Sequence, residues 1–333
     1  MVEQRERLWD YDAVQPGQAG SRTEVALTPE NIAQYAKISQ NMDPRYHKAG
    51  VNVEYGGAWV PMPSMLLSYA PLLRDDIAEA NGLVALEKSV TARRQTPFAK
   101  CEIRWFKPVK AGDVITATRR VLEKYERRGS KFVTFRVEAA NQQGEQVAYY
   151  DYTCIFEYVG GKREVPPTGE NARSGLQRLS PGSTTAPERF LEFSKLSVGD
   201  ELTTLEISES QEIINRRNDF RLAGKPSASN IHTDEEFARR NIFGGTVNSG
   251  PATMSYVDQM LGRSFPLQAF YEGGRLLMRA VTPFRSGDRV TFLGEITGKR
   301  ADGKRGLVDC QVRGMNQRNE LVCMAEATLS LPL

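Results

Sequence analysis

The chain has only two histidines, His47 and His232, and each falls in an irregular stretch between a short helical pattern and a longer apolar one. Histidine is the side chain whose charge changes near neutral pH, so a pair in matching positions points to proton transfer. The plain alternative is that both rings tie loop backbone to the body of the domain. What makes the positions match is a repeat. "IRWFKPVKAGDVIT" (103–116) reads against "MRAVTPFRSGDRVT" (278–291), and Arg104, Pro108, Gly112, Asp113 and Thr116 recur 175 residues later as Arg279, Pro283, Gly287, Asp288 and Thr291. The same offset carries Val133, Asn141, Glu145 and Thr153 onto Val308, Asn316, Glu320 and Thr328. Chance matches scatter in register, so one offset held over some fifty residues marks a duplication.

Each copy must therefore supply the same positioning elements. The first opens with a helix over 28–39, with Thr28 as N-cap and Pro29 at the first helical position. Its counterpart over 208–220 has Ser208 and Gln211 at capping-box spacing. Longer apolar helices are expected over 63–80 and 250–262. Three or four strands joined by polar turns such as "NQQGEQ" and "NQRNEL" close each copy. "SVGDE" in the second copy reads as a turn between strands, matched by "AVQPGQAG" in the first. A helix followed by a meander of long strands predicts an α+β fold, an antiparallel sheet wrapped around a central helix, built twice in tandem. The boundaries read as 1–158 and 190–333, joined by a Gly-, Pro- and Ser-rich linker over 159–189.

"SNIHTDEEFARRNIFGGTVNSG" (229–250) resembles the signature of MaoC-like (R)-specific enoyl-CoA hydratases and dehydratases. That pattern is G-D-x-N-P-x-H, then an acidic residue, Phe-Ala, a Gly-rich turn and a closing Gly. His232, Asp234, Phe237, Ala238, Gly244, Val247 and Gly250 match it. "ISQNMDPRYHK" (38–48) is similar to the variant of the motif in which Tyr precedes the His, and the later "YGGAWVPMPSMLLSY" resembles the N-terminal half of fused two-domain members. The resemblance implies a double hot-dog fold and an acyl-thioester ligand, with coenzyme A as part of the substrate and no other cofactor. Adding water across an enoyl thioester puts negative charge on the thioester oxygen, while one proton leaves the water and another reaches the α-carbon. The family uses an Asp/His pair to hold the water and a backbone N–H to receive the oxygen. By that implication His232 is the catalytic histidine and Gly250 the oxyanion donor. Gly250 precedes Pro251, so its amide is expected at a helix start, where unpaired N–H groups and the helix dipole favour an anion.

The first copy departs from this pattern. It carries Pro61 and Pro63 where Gly250 would lie, and proline has no N–H to donate. Its Asp position holds Asn41, with Asp43 displaced, so Asn41, Asp43 and His47 form an alternative site expected to be non-catalytic and to shape the acyl pocket. The second copy departs too: the motif's Asp is Ser227, and its Asn and Pro are Ser229 and Asn230. Serine can orient a water but is no base at neutral pH. His232 acts alone with Ser227, Ser229 or Asn230 positioning the water, or Asp219 or Asp234 fills the gap, or acyl thioesters bind without being hydrated. Thioester hydrolysis is a further reading. Gly245 and Ser249 in the glycine turn, and Arg239 and Arg240 after the motif, are candidate substrate contacts. Arg93, Arg94 and Lys100 form a second basic group, and either basic group reads as readily as a solvated face.

Composition sets the outer bounds. The 333 residues carry a net charge of +3, too mild an excess for a dedicated nucleic-acid binder. No run approaches the roughly 18 apolar residues of a membrane span. Met1–Asp10 is charged and offers no secretory signal, so a cytoplasmic protein is expected, without membrane association and assembled as a homodimer. Cys101, Cys154, Cys310 and Cys323 form no CxxC pair and read as buried reduced thiols. No metal-ligand cluster, P-loop or dinucleotide fingerprint is present, so no metal site is expected.

Overall fold

The computed structural model describes residues 6–161, 190–227 and 229–333. The first copy contributes β1 (Leu8–Trp9), β2 (Thr23–Ala26), α1 (Pro29–Ile38), α2 (Leu66–Tyr69), α3 (Arg74–Ala80), β3 (Val84–Ala85), β4 (Phe98–Trp105), β5 (Val114–Arg127), β6 (Ser130–Ala140) and β7 (Gln146–Glu157). The second contributes β8 (Leu205–Ser208), α4 (Gln211–Asp219), α5 (Glu235–Arg240), α6 (Gly250–Leu261), α7 (Gln268–Tyr271), β9 (Arg275–Ala280), β10 (Arg289–Asp302), β11 (Arg305–Asn316) and β12 (Leu321–Pro332). Ten strands form one antiparallel sheet in the order β2-β5-β6-β7-β4-β9-β12-β11-β10-β8, while β1 and β3 pair separately.

The duplication is written into the backbone. β5 and β10, like β7 and β12, begin and end 175 residues apart (289 − 114 and 321 − 146). Even the bulge at Val121/Glu123 recurs at Ile296/Gly298. Gly17 and Gly199 sit at φ 90° and 93° in the equivalent turns. Each donates its N–H to a bulge carbonyl, that of Val121 at 2.9 Å and that of Ile296 at 2.8 Å. At the centre, β4 pairs with β9 so that Glu102 faces Leu277, its own repeat mate. The pseudo-two-fold axis passes there and makes the two sheets one surface.

The central helix of the second half, α6, has nine buried residues among its twelve, as a helix enclosed by a sheet must. In the first half the helix expected over 63–80 is broken. A single 3₁₀ turn (Pro63–Met65) leads into α2, Ala70 leaves helical geometry at φ −126°, ψ 67°, and α3 starts at Arg74. Pro71 is the cause: it lacks an N–H and pushes the preceding residue out of the α region. The other helix starts need one correction. Thr28 caps α1 as expected, but α4 is capped by Ser210, which accepts from Ile213 N, while Ser208 ends β8. The four cysteines are buried and free. The expected linker lies largely outside the described residues.

Candidate active site

α6 starts at a well-defined point. The Ser249 side chain caps it, accepting from Ala252 N at 3.3 Å, with Gly250 as first residue and Pro251 behind it. The Gly250 N–H has no partner among the described residues. A side chain at Gly250 would run into the Phe98 ring, which packs over its α-carbon. Glycine is therefore required here by the approach of β4 as well as by any ligand.

His232 is held by a turn built on Asn230, whose Oδ1 accepts from His232 N at 2.7 Å and Thr233 N at 3.2 Å. Its Nδ1 lies 2.8 Å from the Val247 carbonyl. A carbonyl can only accept, so Nδ1 carries the proton and Nε2 keeps a free lone pair. Burial, with the nearby Arg221 and Arg74 cations adding to it, pushes the imidazole pKa from 6.5 down to about 4 against the opposing pull of Val247. At neutral pH the ring is an uncharged base.

Two cavities of about 320 and 250 Å³ meet at this ring, and both are lined by His232, Asn248, Ser249, Arg74, Gln95 and Tyr152. Gly250 and Phe98 line the smaller one. The larger is walled by Leu67, Leu72 and Leu73 from the first half and by α4 from the second. Asn248 is fixed from behind. Its Nδ2 donates to Glu209 Oε2 at 2.7 Å and its Oδ1 accepts from Ser249 N at 2.8 Å. Burial raises the Glu209 carboxyl to about 7, against the hydrogen bond from Tyr256 OH at 2.9 Å.

Ser227 and Asn230 line the larger cavity and Ser249 lines both, so these three meet His232. Ser229 is turned to the loop, its hydroxyl donating to Asp234 and its carbonyl accepting from Arg93 at 2.5 Å. Gly245 is buried outside both cavities. Arg239 and Arg240 line neither cavity: both are exposed on α5 and pair with Glu235 and Glu236 one turn back. Neither carboxylate proposed for the gap reaches it. Asp219 is exposed at the end of α4, and Asp234 caps α5 through Phe237 N at 2.9 Å. Sequence reasoning missed Arg217, Asn218, Arg221 and Asn248. A signal existed for two of them: with Ile214, Arg217 and Asn218 stand at i, i+3 and i+4 of α4, polar groups on its buried face, while Arg221 lies beyond the helix end at Asp219.

The first-half positions are arranged differently. Pro63 opens the 3₁₀ turn as Gly250 opens α6. The next amide, Ser64 N, is already bonded at 2.6 Å to the Asp258 carboxylate of α6. His47 Nε2, the atom left free in His232, is tied to Asn41 O at 2.7 Å. Asn41 and Asp43 line a separate cavity of about 180 Å³ that His47 does not reach, and Asp43 pairs with Arg45 at 2.8 Å.

The ten-stranded sheet and its two halves superpose on solved structures along nearly their whole length. The fold is the double hot dog of the MaoC-like dehydratases. A MaoC-like dehydratase is 17% identical with a TM-score of 0.65, over 95% of this chain and 99% of the other. A putative MaoC domain protein dehydratase from Chloroflexus aurantiacus is 12% identical with a TM-score of 0.66, over 99% of each chain. A protein of Mycobacterium tuberculosis described as having a double hotdog fold is 13% identical with a TM-score of 0.60, over 97% and 99%. By sequence, residues 15–150 match the family described as the FAS1-like dehydratase domain region. That match falls on the half whose helix start is Pro63, not on the half holding His232. No curated protein matches the chain by sequence. Among the described residues no helix is long and apolar enough to cross a membrane.

Proposed function

We propose that the second-half site is an acyl-thioester hydro-lyase, adding water reversibly to a 2-enoyl-CoA to give a 3-hydroxyacyl-CoA. The observation that carries the reading is that a neutral His232, its Nε2 unengaged, and the unpaired Gly250 N–H line the same smaller cavity, which meets the larger one at the His232 ring. The thioester oxygen accepts from Gly250, where the start of α6 opposes the negative charge that develops. Nε2 takes a proton from a water that attacks the β-carbon, and the imidazolium so formed returns that proton to the α-carbon. One group thus serves as base and then acid, which the missing motif carboxylate requires. Ser227, Asn230 and the Ser249 hydroxyl hold the water. The pantetheine arm occupies the smaller cavity, and the acyl chain enters the larger one, whose apolar wall the first half supplies.

The serine at the motif's Asp position favours a second reading, a subunit that binds acyl-CoA without turning it over. Purified protein is assayed against a panel of enoyl-CoA thioesters, following loss of the conjugated-thioester absorbance, beside calorimetry with saturated acyl-CoA. Turnover supports the hydro-lyase. Clear binding with no turnover of any enoyl or 3-hydroxyacyl thioester leaves the binding subunit.

A further inference from the structure

The wall of the larger cavity formed by α4 and the residues just after it carries two arginines that make no ion pair among the described residues. Arg217 is 8% exposed. Its guanidinium donates to the Ser39 hydroxyl, to Tyr35 OH at 2.9 Å and to Pro251 O at 3.3 Å, and lies 4.5 Å over the Tyr35 ring. None of these partners is an anion. Two residues past the end of α4, Arg221 is exposed and donates only to the carbonyls of Arg217 at 3.3 Å and Phe220 at 2.8 Å. Neither arginine has a carboxylate within ion-pair distance among the described residues. The acids lining the same cavity are already engaged, Glu87 with Arg74 at 2.7 Å and Asp75 with Lys88 at 3.7 Å. A buried guanidinium with no ion-pair partner, as at Arg217, is costly, and a ligand anion relieves it; the exposed Arg221 adds a second positive charge that Asp219 offsets only through space.

Position decides which anion. Arg217 bonds the carbonyl of Pro251, the residue after Gly250, so it lies beside the helix start that receives the thioester oxygen. The phosphates of coenzyme A are a full pantetheine arm away from that oxygen. A carboxylate on the acyl chain is only a few bonds from it. Resting on the hydro-lyase reading, we propose that the substrate's acyl group ends in a carboxylate, bound by Arg217 and Arg221 in fork-like charge-assisted hydrogen bonds.

The test compares hexenoyl-CoA with hexenedioyl-CoA, each with its double bond next to the thioester. The expected kcat/KM is about 10- to 100-fold higher for the dicarboxylic substrate, the range of one or two hydrogen bonds to a charged group. Arg221→Gln is expected to collapse that ratio towards unity, and Arg216→Gln, on the exposed face of α4, to leave it unchanged. Arg217→Gln should act like Arg221→Gln; because Arg217 also ties α1 to α4, Arg221→Gln decides if it does not fold. Equal or better turnover of hexenoyl-CoA, or a ratio that survives Arg221→Gln, overturns the proposal. If neither substrate is turned over, the hydro-lyase reading fails by itself. The arginines are then judged by calorimetry with adipoyl-CoA against hexanoyl-CoA, where a preference for adipoyl-CoA that Arg221→Gln removes supports the anion site and equal affinities overturn it.

Discussion

The protonation state of His232 has a measurable consequence in two independent assays. Burial lowers its pKa from 6.5 to about 4, a difference of roughly 3 kcal/mol at 1.36 kcal/mol per unit. The folded pKa lies below the unfolded one, so the neutral ring carries stability that is full above pH 6.5 and is lost as pH falls through about 4. At pH 5 an ordinary histidine is neutral in only about one molecule in thirty, whereas one of pKa about 4 is neutral in about nine in ten. Turnover of hexenoyl- or hexenedioyl-CoA should therefore hold nearly level from pH 7 to 5 and fall only below that. In urea unfolding, wild type should lose about 2 to 3 kcal/mol more than His232→Gln between pH 7 and pH 4.5. Glu209 and Asp258, whose carboxyls burial raises to about 7, titrate with the opposite sign in the same window. They are present in both proteins and cancel from the difference. An acid limb near pH 6.5 with no extra pH dependence in wild-type unfolding would refute the neutral, desolvated base.

Three further outcomes are expected. His232→Ala should lower kcat on the order of 10²- to 10⁴-fold, while His47→Ala should leave turnover largely intact; steady-state kinetics showing the reverse would move the active half. Gly250→Ala should cost on the order of 10²-fold, because the Phe98 ring must shift against the helix start, and adding Phe98→Ala should restore part of the loss; no recovery would mean the ring does not set that geometry. Ser227→Asp gives up the bond to Ser229 O and puts a carboxylate on the cavity wall, so turnover of hexenoyl-CoA should rise if water activation limits the rate; unchanged turnover with lower stability in urea would show a desolvated, protonated acid instead.

Architecture was legible because duplication repeats every local signal. The turn glycines, the strand lengths and the 175-residue offset all point to one domain built twice, and the ten-stranded sheet follows. The helix over 63–80 was misjudged because its apolar spacing is helical on both sides of Pro71, and one missing N–H outweighs that spacing. At the site, His232 and Gly250 could be found because their neighbours form a motif. Asn248 and Glu209 could not, since their roles depend on β8 and α6 meeting in space. Whether Arg239 and Arg240 face the cavities could not be read, because charge in sequence says nothing about which helix face it occupies. On α4 the reverse held: Arg216 is exposed and its neighbour Arg217 is buried.

The two halves began as the same device, and their differences are coupled. Pro63 removes the first amide of its helical turn as a donor, and the next, Ser64 N, is not free to donate to a ligand because Asp258 of α6 already receives its hydrogen bond. Asp258 belongs to the same helix whose opposite end presents the free Gly250 N–H. The central helix of the second half thus closes the anion-binding end of its partner turn with its middle while keeping its own end open. His47 is settled in the same way, its Nε2 spent on a carbonyl where His232 keeps a lone pair. Restoring the first half would take more than Pro63→Gly: the freed amide would lie beside the Asp258 carboxyl, already bonded to the neighbouring N–H, and above about pH 7 its negative charge would repel the oxyanion the amide was meant to receive.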